Sequence, residues 1–150
     1  MSEGYTKNEM ENALVQALKP LSLEGGGYLR ILGLYRGELA QQGLMPEALQ
    51  MPAVFVAYSY STYGPGPYLY AYETAGFNVI AVCRTGSSPN VYKILADVRD
   101  ILLGGTLGLD VTPLKLLRES SIITAKETTA FAALYSVTQK VKLPSQAQNM

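Results

Sequence analysis

The stretch that most constrains the fold is residues 76–103, which read as a strand, a short turn and an amphipathic helix. Residues 76–84 are apolar on both faces, as is typical of a central strand. In the helix that follows, the apolar residues recur at i, i+3, i+4 and i+7 and form one stripe: Val91, Ile94, Leu95, Val98, Ile101 and Leu102. The pattern predicts a sheet with a helix packed against it.

Both ends of this helix are marked by residue type. Ser88 is a favourable N-cap and Pro89 suits the first helical position, because the N–H that proline lacks has no partner there. We therefore expect the helix to follow from Asn90 to Leu103. Gly104-Gly105 ends it, since glycine readily adopts the left-handed conformation after a helix.

The rest of the chain supplies a second helix and further strands. Thr6 and Glu9 match a capping box, which predicts a short helix that ends before Pro20. Residues 39–49 are ambiguous, with an irregular turn of helix as one interpretation. The predicted strands, from their apolar content and period-two alternation, are Tyr28 to Tyr35, Ala53 to Tyr58, Val111 to Ser120 and Thr128 to Val141.

Runs of strands flanked by two helices favour an α+β fold. We expect a mostly antiparallel sheet of four to five strands with two helices packed on one face. Residues 1–142 are predicted to form a single domain. The polar, proline-containing segment 143–150 is predicted to be a disordered tail.

A tyrosine-rich segment interrupts this pattern. Residues 58–72 hold six of the eleven tyrosines in the chain: Tyr58, Tyr60, Tyr63, Tyr68, Tyr70 and Tyr72. The sequence Gly64-Pro65-Gly66-Pro67 at its centre is a strong turn signal, so the tyrosines flank the turn of a long hairpin or an extended loop. The only charge between Glu47 and Arg84 is Glu73. Uncharged, aromatic segments are enriched at interfaces, which predicts a protein contact here; a tyrosine ladder packed on its own sheet is the alternative.

Residue types and charge exclude several classes of function. The chain has no histidine, which removes the serine–histidine and cysteine–histidine routes, and its single Cys83 fits a small core side chain in a reducing compartment. We expect no catalytic residues, no cofactor and no metal site. Asp97 and Asp100 are expected on the solvated side of the helix, and a cation held by them with Asp110 is a weak alternative.

Twelve basic residues balance twelve acidic ones, so no basic field favours nucleic acid, and no apolar run is long enough to span a membrane.

Several short segments, in their order and spacing, carry a family resemblance. They are the opening helix Glu9 to Leu18, the strand that starts at Met51-Pro52-Ala53, Phe77-Asn78-Val79, the helix Val91 to Leu102, Leu107-Gly108-Leu109 with Pro113-Leu114, and Leu134 to Val137. Over roughly residues 8–140 this pattern is similar to the small tail-completion proteins of Mu-like phages and prophages, a family related to tail terminators.

The resemblance implies a structural role in the virion. Tail terminators form a ring, hexameric in related proteins, on the last ring of the tail tube, and present a surface to the head connector. The expected partners are therefore further copies of the chain, the tail tube protein and the head–tail connector protein. The expected location is the host cytoplasm during assembly and then the virion tail. The ring would need two different patches on each subunit, with the tyrosine segment as one and the sheet edge near Thr128 to Val141 as the second.

Two other functions compete with an assembly protein. A small ligand-binding or regulatory α+β domain would use the tyrosines to line a pocket. An enzyme would have to act through carboxylates or through a pair such as Ser120 or Ser121 with Lys126, which nothing else in the sequence supports. Oligomeric state separates the assembly protein from the ligand-binding domain most directly.

Overall fold

The computed structural model describes residues 4–37, 50–124 and 127–144 of the chain. Two helices and five strands form in the order α1 (Lys7–Ala17), β1 (Ile31–Leu34), β2 (Ala53–Pro65), β3 (Tyr70–Arg84), α2 (Val91–Leu102), β4 (Lys115–Thr124) and β5 (Thr128–Lys142). A short 3-10 turn, Lys19–Leu21, follows α1. The predicted turn of helix at 39–49 lies outside the described residues.

All five strands form one sheet in the order β1-β2-β3-β5-β4. Only the β1–β2 pair is parallel; the β2–β3, β3–β5 and β4–β5 pairs are antiparallel. The predicted α+β fold with a mostly antiparallel sheet is therefore confirmed. β3 lies at the centre of the sheet, as its apolar sequence predicts.

Both helices pack on the same face of the sheet. α1 buries Met10 and Leu14, and α2 buries its predicted stripe with the exception of Ile101, which is half-buried. These side chains share one core with alternate residues of the central strands: Val54, Val56, Ala75, Phe77, Val79, Ala81, Cys83, Ala133, Tyr135 and Val137. The opposite face of the sheet has a smaller apolar cluster: Ala53, Phe55, Ile80, Val82, Ala130 and Ala132.

The helix starts follow the local capping chemistry, with one correction. The capping box is confirmed, because Thr6 Oγ1 accepts the Glu9 N–H and the Glu9 side chain accepts the Thr6 N–H. The predicted cap at Ser88 is wrong: α2 begins two residues later, where Asn90 Oδ1 accepts the Lys93 N–H at 3.0 Å. Asparagine caps as well as serine, so residue type alone did not separate the two positions.

All five predicted strands change their limits. β2 and β3, predicted as 53–58 and 76–84, extend to Pro65 and back to Tyr70, because they pair with each other as far as the hairpin turn. β1 is confined to Ile31–Leu34 within the predicted 28–35. β4 starts at Lys115 rather than at Val111, because the Leu114 backbone exchanges hydrogen bonds with Gly104 and Gly105 at the end of α2. The last strand, predicted as Thr128 to Val141, ends one residue later at Lys142.

The expectation that the last strand forms an open sheet edge is wrong. β5 pairs with β3 along its whole length and with β4 over Thr129 to Ser136, so it lies inside the sheet. The edge strands are β1 and β4. Beyond β5, Leu143 donates its N–H to the Leu69 carbonyl at 2.9 Å, and the rest of the predicted tail, 145–150, lies outside the described residues.

Two buried hydroxyls, those of Tyr135 and Thr128, have no hydrogen-bond partner among the described residues. Tyr135 is fully buried beneath α2, its OH is unpaired, and burial raises its pKa to about 12. An unpaired buried hydroxyl costs roughly 1–3 kcal/mol. We therefore expect Tyr135→Phe to raise the free energy of unfolding by about 1 kcal/mol in chemical denaturation. A loss of stability would instead show that the hydroxyl has a partner, such as a buried water.

Candidate functional site

The tyrosine segment forms the hairpin between β2 and β3, as one of its two sequence interpretations predicts. The two strands pair from Ala53↔Val82 to Pro65↔Ala71, and residues 66–69 make the turn. Tyr70 donates its N–H to the Pro67 carbonyl to close this turn. We refer to residues 58–72 as the tyrosine hairpin.

The tyrosine hairpin is supported on one side only. β5 accompanies β3 as far as Tyr70↔Lys142, next to the turn. On the other side β1 ends at Leu34, opposite Val56, so β2 continues past the end of its neighbour. The hairpin is therefore the far end of a three-stranded extension of the sheet, and among the described residues its edge along β2 has no strand partner.

A β-bulge distributes the tyrosines over both faces of this extension. The register shifts between Tyr58 and Tyr60, so two residues that share a face in a regular strand lie on opposite faces here. The Tyr58 ring meets the edge of Phe77 on the helix-covered face, with ring centroids 5.7 Å apart. Tyr60 packs instead over Gly76 on the other face; a Cβ at Gly76 would lie 2.0 Å from the Tyr60 ring.

Four of the six tyrosines expose a large part of their side chains. The exposed fractions are 86% for Tyr68, 66% for Tyr63, 43% for Tyr72 and 40% for Tyr58. Tyr60 and Tyr70 are half-buried, and the Tyr70 ring lies 4.7 Å from the ammonium nitrogen of Lys140. The tyrosine hairpin thus presents aromatic area in several directions rather than one concave surface.

A buried carboxylate at the base of the hairpin is the feature that sequence reasoning missed. Glu73 is 2% exposed and forms an ion pair with Lys7 at the start of α1. Ser61 Oγ and Tyr63 OH donate to Glu73 Oε2 at 2.7 and 3.0 Å, and Gln139 Nε2 donates to Oε1 at 3.0 Å. The signal was present in the sequence, since Glu73 is the one charge in an otherwise uncharged stretch, but its partners are distant along the chain.

This cluster joins three parts of the chain. Gln139 on β5 also holds the segment before α1: its Oε1 accepts the Tyr5 N–H at 2.7 Å, and its Nε2 donates to the Tyr5 carbonyl at 3.1 Å. Glu11 on α1 accepts the Tyr58 N–H at 2.8 Å. The cluster and this contact fix the direction in which the hairpin leaves the body of the protein.

The electrostatics of the cluster are consistent with an ionised pair. Burial alone would raise the pKa of Glu73, but the hydrogen bonds from Lys7, Ser61, Gln139 and Tyr63 outweigh it and leave the pKa below its usual value. For Lys7, burial lowers the pKa and the bond to Glu73 more than restores it, so the pKa is raised. The hydrogen bond to Glu73 also raises the pKa of Tyr63.

These shifts predict a defined pH dependence of stability. A carboxylate whose pKa is lower in the folded state stabilises the fold above its unfolded pKa of 4.5, and this contribution is lost as the pH falls through the folded value. We expect urea denaturation to show stability falling below about pH 4.5, and Glu73→Gln to flatten that fall. An equally steep fall in Glu73→Gln would assign the acid sensitivity to other carboxylates.

A second polar contact lies on α2 at Asp97, one of the carboxylates that the sequence offered for a cation site. Lys93 Nζ donates to Asp97 Oδ1 at 2.8 Å and Tyr28 OH donates to Oδ2 at 2.6 Å. Burial alone would raise the pKa of Asp97, but these two donors lower it. Within residues 4–37, 50–124 and 127–144, no group of three or more acidic or cysteine side chains is placed to hold a metal ion.

Comparison with protein-family models identifies the family of this chain. The model of the family described as Bacteriophage Mu, Gp37 matches residues 8–142. The chain belongs to this family. The match covers nearly the whole chain and confirms the resemblance to Mu-like phage proteins. A search of curated proteins found no match to the chain.

Two cavities in the described part of this Gp37-family chain have aromatic side chains in their lining. A cavity of about 310 Å³ beside β5 is lined by Tyr72 together with Asp110, Thr112 and Lys140, among others. A second, of about 440 Å³ at the start of α2, is lined by Tyr92 and Phe131 but by none of the six hairpin tyrosines. Among the described helices, none is long and apolar enough to cross a membrane.

Proposed function

We propose that this Gp37-family protein is a tail-completion subunit of a Mu-like phage or prophage that acts as a tail terminator. A ring of copies, hexameric as the resemblance implies, would cap the tail tube and join it to the head connector. The protein would act in the host cytoplasm during assembly and remain in the virion tail. The family match over residues 8–142 carries the proposal.

The exposed tyrosines support a structural rather than a catalytic role. A free surface seldom presents several large aromatic side chains with no charge between them. Tyrosine contributes a large contact area at a small entropy cost and keeps a polar tip, as protein interfaces require. The chain has no histidine and its one cysteine is buried, so the serine–histidine and cysteine–histidine pairs that activate a nucleophile cannot form.

The contact role of the tyrosine hairpin is tested with a double variant, Tyr68→Ser with Tyr72→Ser. Both side chains are exposed and neither belongs to the Glu73 cluster, so we expect the thermal unfolding transition to be unchanged at concentrations too low for association. The few residues that dominate a protein interface are enriched in tyrosine and each contribute about 2 kcal/mol or more. We expect self-association, measured by light scattering over a concentration series, to weaken at least about tenfold, and tails assembled with the variant to lack their terminal ring.

The matched control is Tyr92→Ser. Tyr92 is 66% exposed and lies on α2, away from the hairpin. It should leave association and tail assembly unchanged. If the hairpin variant also assembles normal tails, the tyrosine hairpin is not the contact surface. If purified wild-type protein neither self-associates nor binds tail tubes, the terminator role itself is wrong.

A further inference from the structure

The outer edge of β2 is open along the tyrosine hairpin. Next to β1 the outer edge of β2 is paired as far as Val56, whose carbonyl accepts the Tyr35 N–H. The Tyr58 N–H is taken by Glu11. From Ser59 to Pro65, no backbone hydrogen bond leaves β2 on the side away from β3 among the described residues.

Between the bulge at Tyr58 and Tyr60 and the terminal Pro65, this edge lacks the charged side chains that usually discourage strand pairing. Natural edge strands carry lysine or other charges that discourage another strand from adding to the sheet. Residues 59–65 contain serine, tyrosine, threonine, glycine and a terminal proline, and no charge. Glu73, the nearest charge on β3, is buried and paired with Lys7. The edge is therefore suited to accept an extended strand.

A second open edge lies at the other end of the same sheet. β4 pairs only with β5, so the outer side of residues 115–120 has no strand partner among the described residues. This edge exposes Leu117, at 48%, and carries Lys115, Arg118 and Glu119. One molecule thus has two different open edges, facing in opposite directions along the strand order.

We propose that these two edges pair with each other between copies of the chain. The outer edge of β2, residues 59–65, would bond to residues 115–120 of β4 in a second copy and continue the sheet across the contact. This inference rests on the proposed ring, because a contact between two different patches is what a ring requires. Closing the ring would leave neither edge open.

The charges favour this pairing over symmetric ones. Two β4 edges that met antiparallel with Arg118 at the centre would place this side chain opposite its own copy, and like charges opposite each other destabilise a strand pair. Two β2 edges that met would leave both β4 edges exposed with Leu117. Between β2 and β4, the charged residues of β4 face an uncharged strand.

The test uses disulfide trapping with cysteines at the middle of each edge. Thr62→Cys and Arg118→Cys are both exposed positions whose partners, Thr74 and Leu134, lie on the helix-free face of the sheet. Mixing the two single variants under oxidation should give a mixed disulfide dimer, and the double variant should give a ladder of higher oligomers. Each single variant alone should stay reduced, since Cys83 is buried.

A second variant keeps the test independent of cysteine chemistry. Thr62→Lys places a charge on the open edge, and Gln16→Lys makes the same charge change on the exposed side of α1. We expect Thr62→Lys to shift the ring towards monomer in light scattering, and Gln16→Lys to keep the ring. Diluted until neither protein associates, Thr62→Lys and wild type should unfold at the same temperature.

The outcomes separate this inference from the proposed function. A ring of normal mass without mixed disulfides, and insensitive to Thr62→Lys, would overturn the edge pairing and leave the terminator role standing. Dimers of Thr62→Cys alone would show that β2 pairs with itself. Loss of tail assembly with no effect on self-association would assign the β2 edge to the tube or connector protein instead of a second copy.

Discussion

Replacing Glu73 with alanine should lower the free energy of unfolding by about 3 kcal/mol. The carboxylate is 2% exposed and receives four donors, so its removal leaves the buried amide of Gln139 with one partner fewer and opens a cavity. Lys7, at 31% exposed, can turn towards water, which keeps the loss at the lower end of the range for a broken buried pair. Urea denaturation measures the effect.

Two comparisons make this result specific. Glu24→Ala removes an exposed carboxylate from the loop after the 3-10 turn and should change stability by less than about 0.5 kcal/mol. Glu73→Gln keeps the shape and an acceptor for Ser61 and Tyr63, and should lose less than Glu73→Ala. A Glu73→Ala variant as stable as the wild type would mean that the cluster does not fix the hairpin to α1.

Replacing Gly27 with alanine should cost about 4 kcal/mol or prevent folding, one of the largest effects expected for a single methyl group in this chain. A Cβ at Gly27 would lie 2.2 Å from the Leu21 carbonyl oxygen and 2.3 Å from its carbon, both backbone atoms. The same carbonyl accepts the N–H groups of Tyr28 and Leu29 at 2.8 Å. The turn cannot widen to admit the methyl group without losing these bonds.

The matched control is Gly33→Ala, in the middle of β1. Apart from the adjacent residues of the chain, no described atom lies within 4 Å of a Cβ built there, and the backbone is not in the left-handed region. Because glycine is unfavourable inside a strand, this variant should be neutral or gain roughly 0.5 kcal/mol. Thermal unfolding of both variants gives the contrast. Equal stability would contradict the tight contact between Gly27 and Leu21.

Features that depend on neighbouring residues were predictable from the sequence. The capping box at Thr6 and Glu9, the apolar stripe of α2, the glycine after it and the hairpin turn all involve groups a few residues apart. The turn, predicted at 64–67, forms two residues later at 66–69. In each case the interacting residues lie close together in the chain, so residue type and spacing are enough to predict the feature. The central position of β3 also follows from its apolar residues on both faces.

Features that depend on distant partners were decided only by the tertiary structure. β5 is interior because β4 pairs with its outer side, although nothing within residues 128–141 distinguishes an edge strand from an inner one. A single bulge at Tyr58 and Tyr60 assigns the tyrosines to two faces.

The burial of Glu73 likewise depends on Lys7 and Gln139, each more than sixty residues away in sequence. The sequence by itself determined the elements and the uncharged tyrosine hairpin, because local spacing encodes both. Only the assembled sheet decided which edges are open and which charge is buried, because both depend on contacts between residues far apart in the chain.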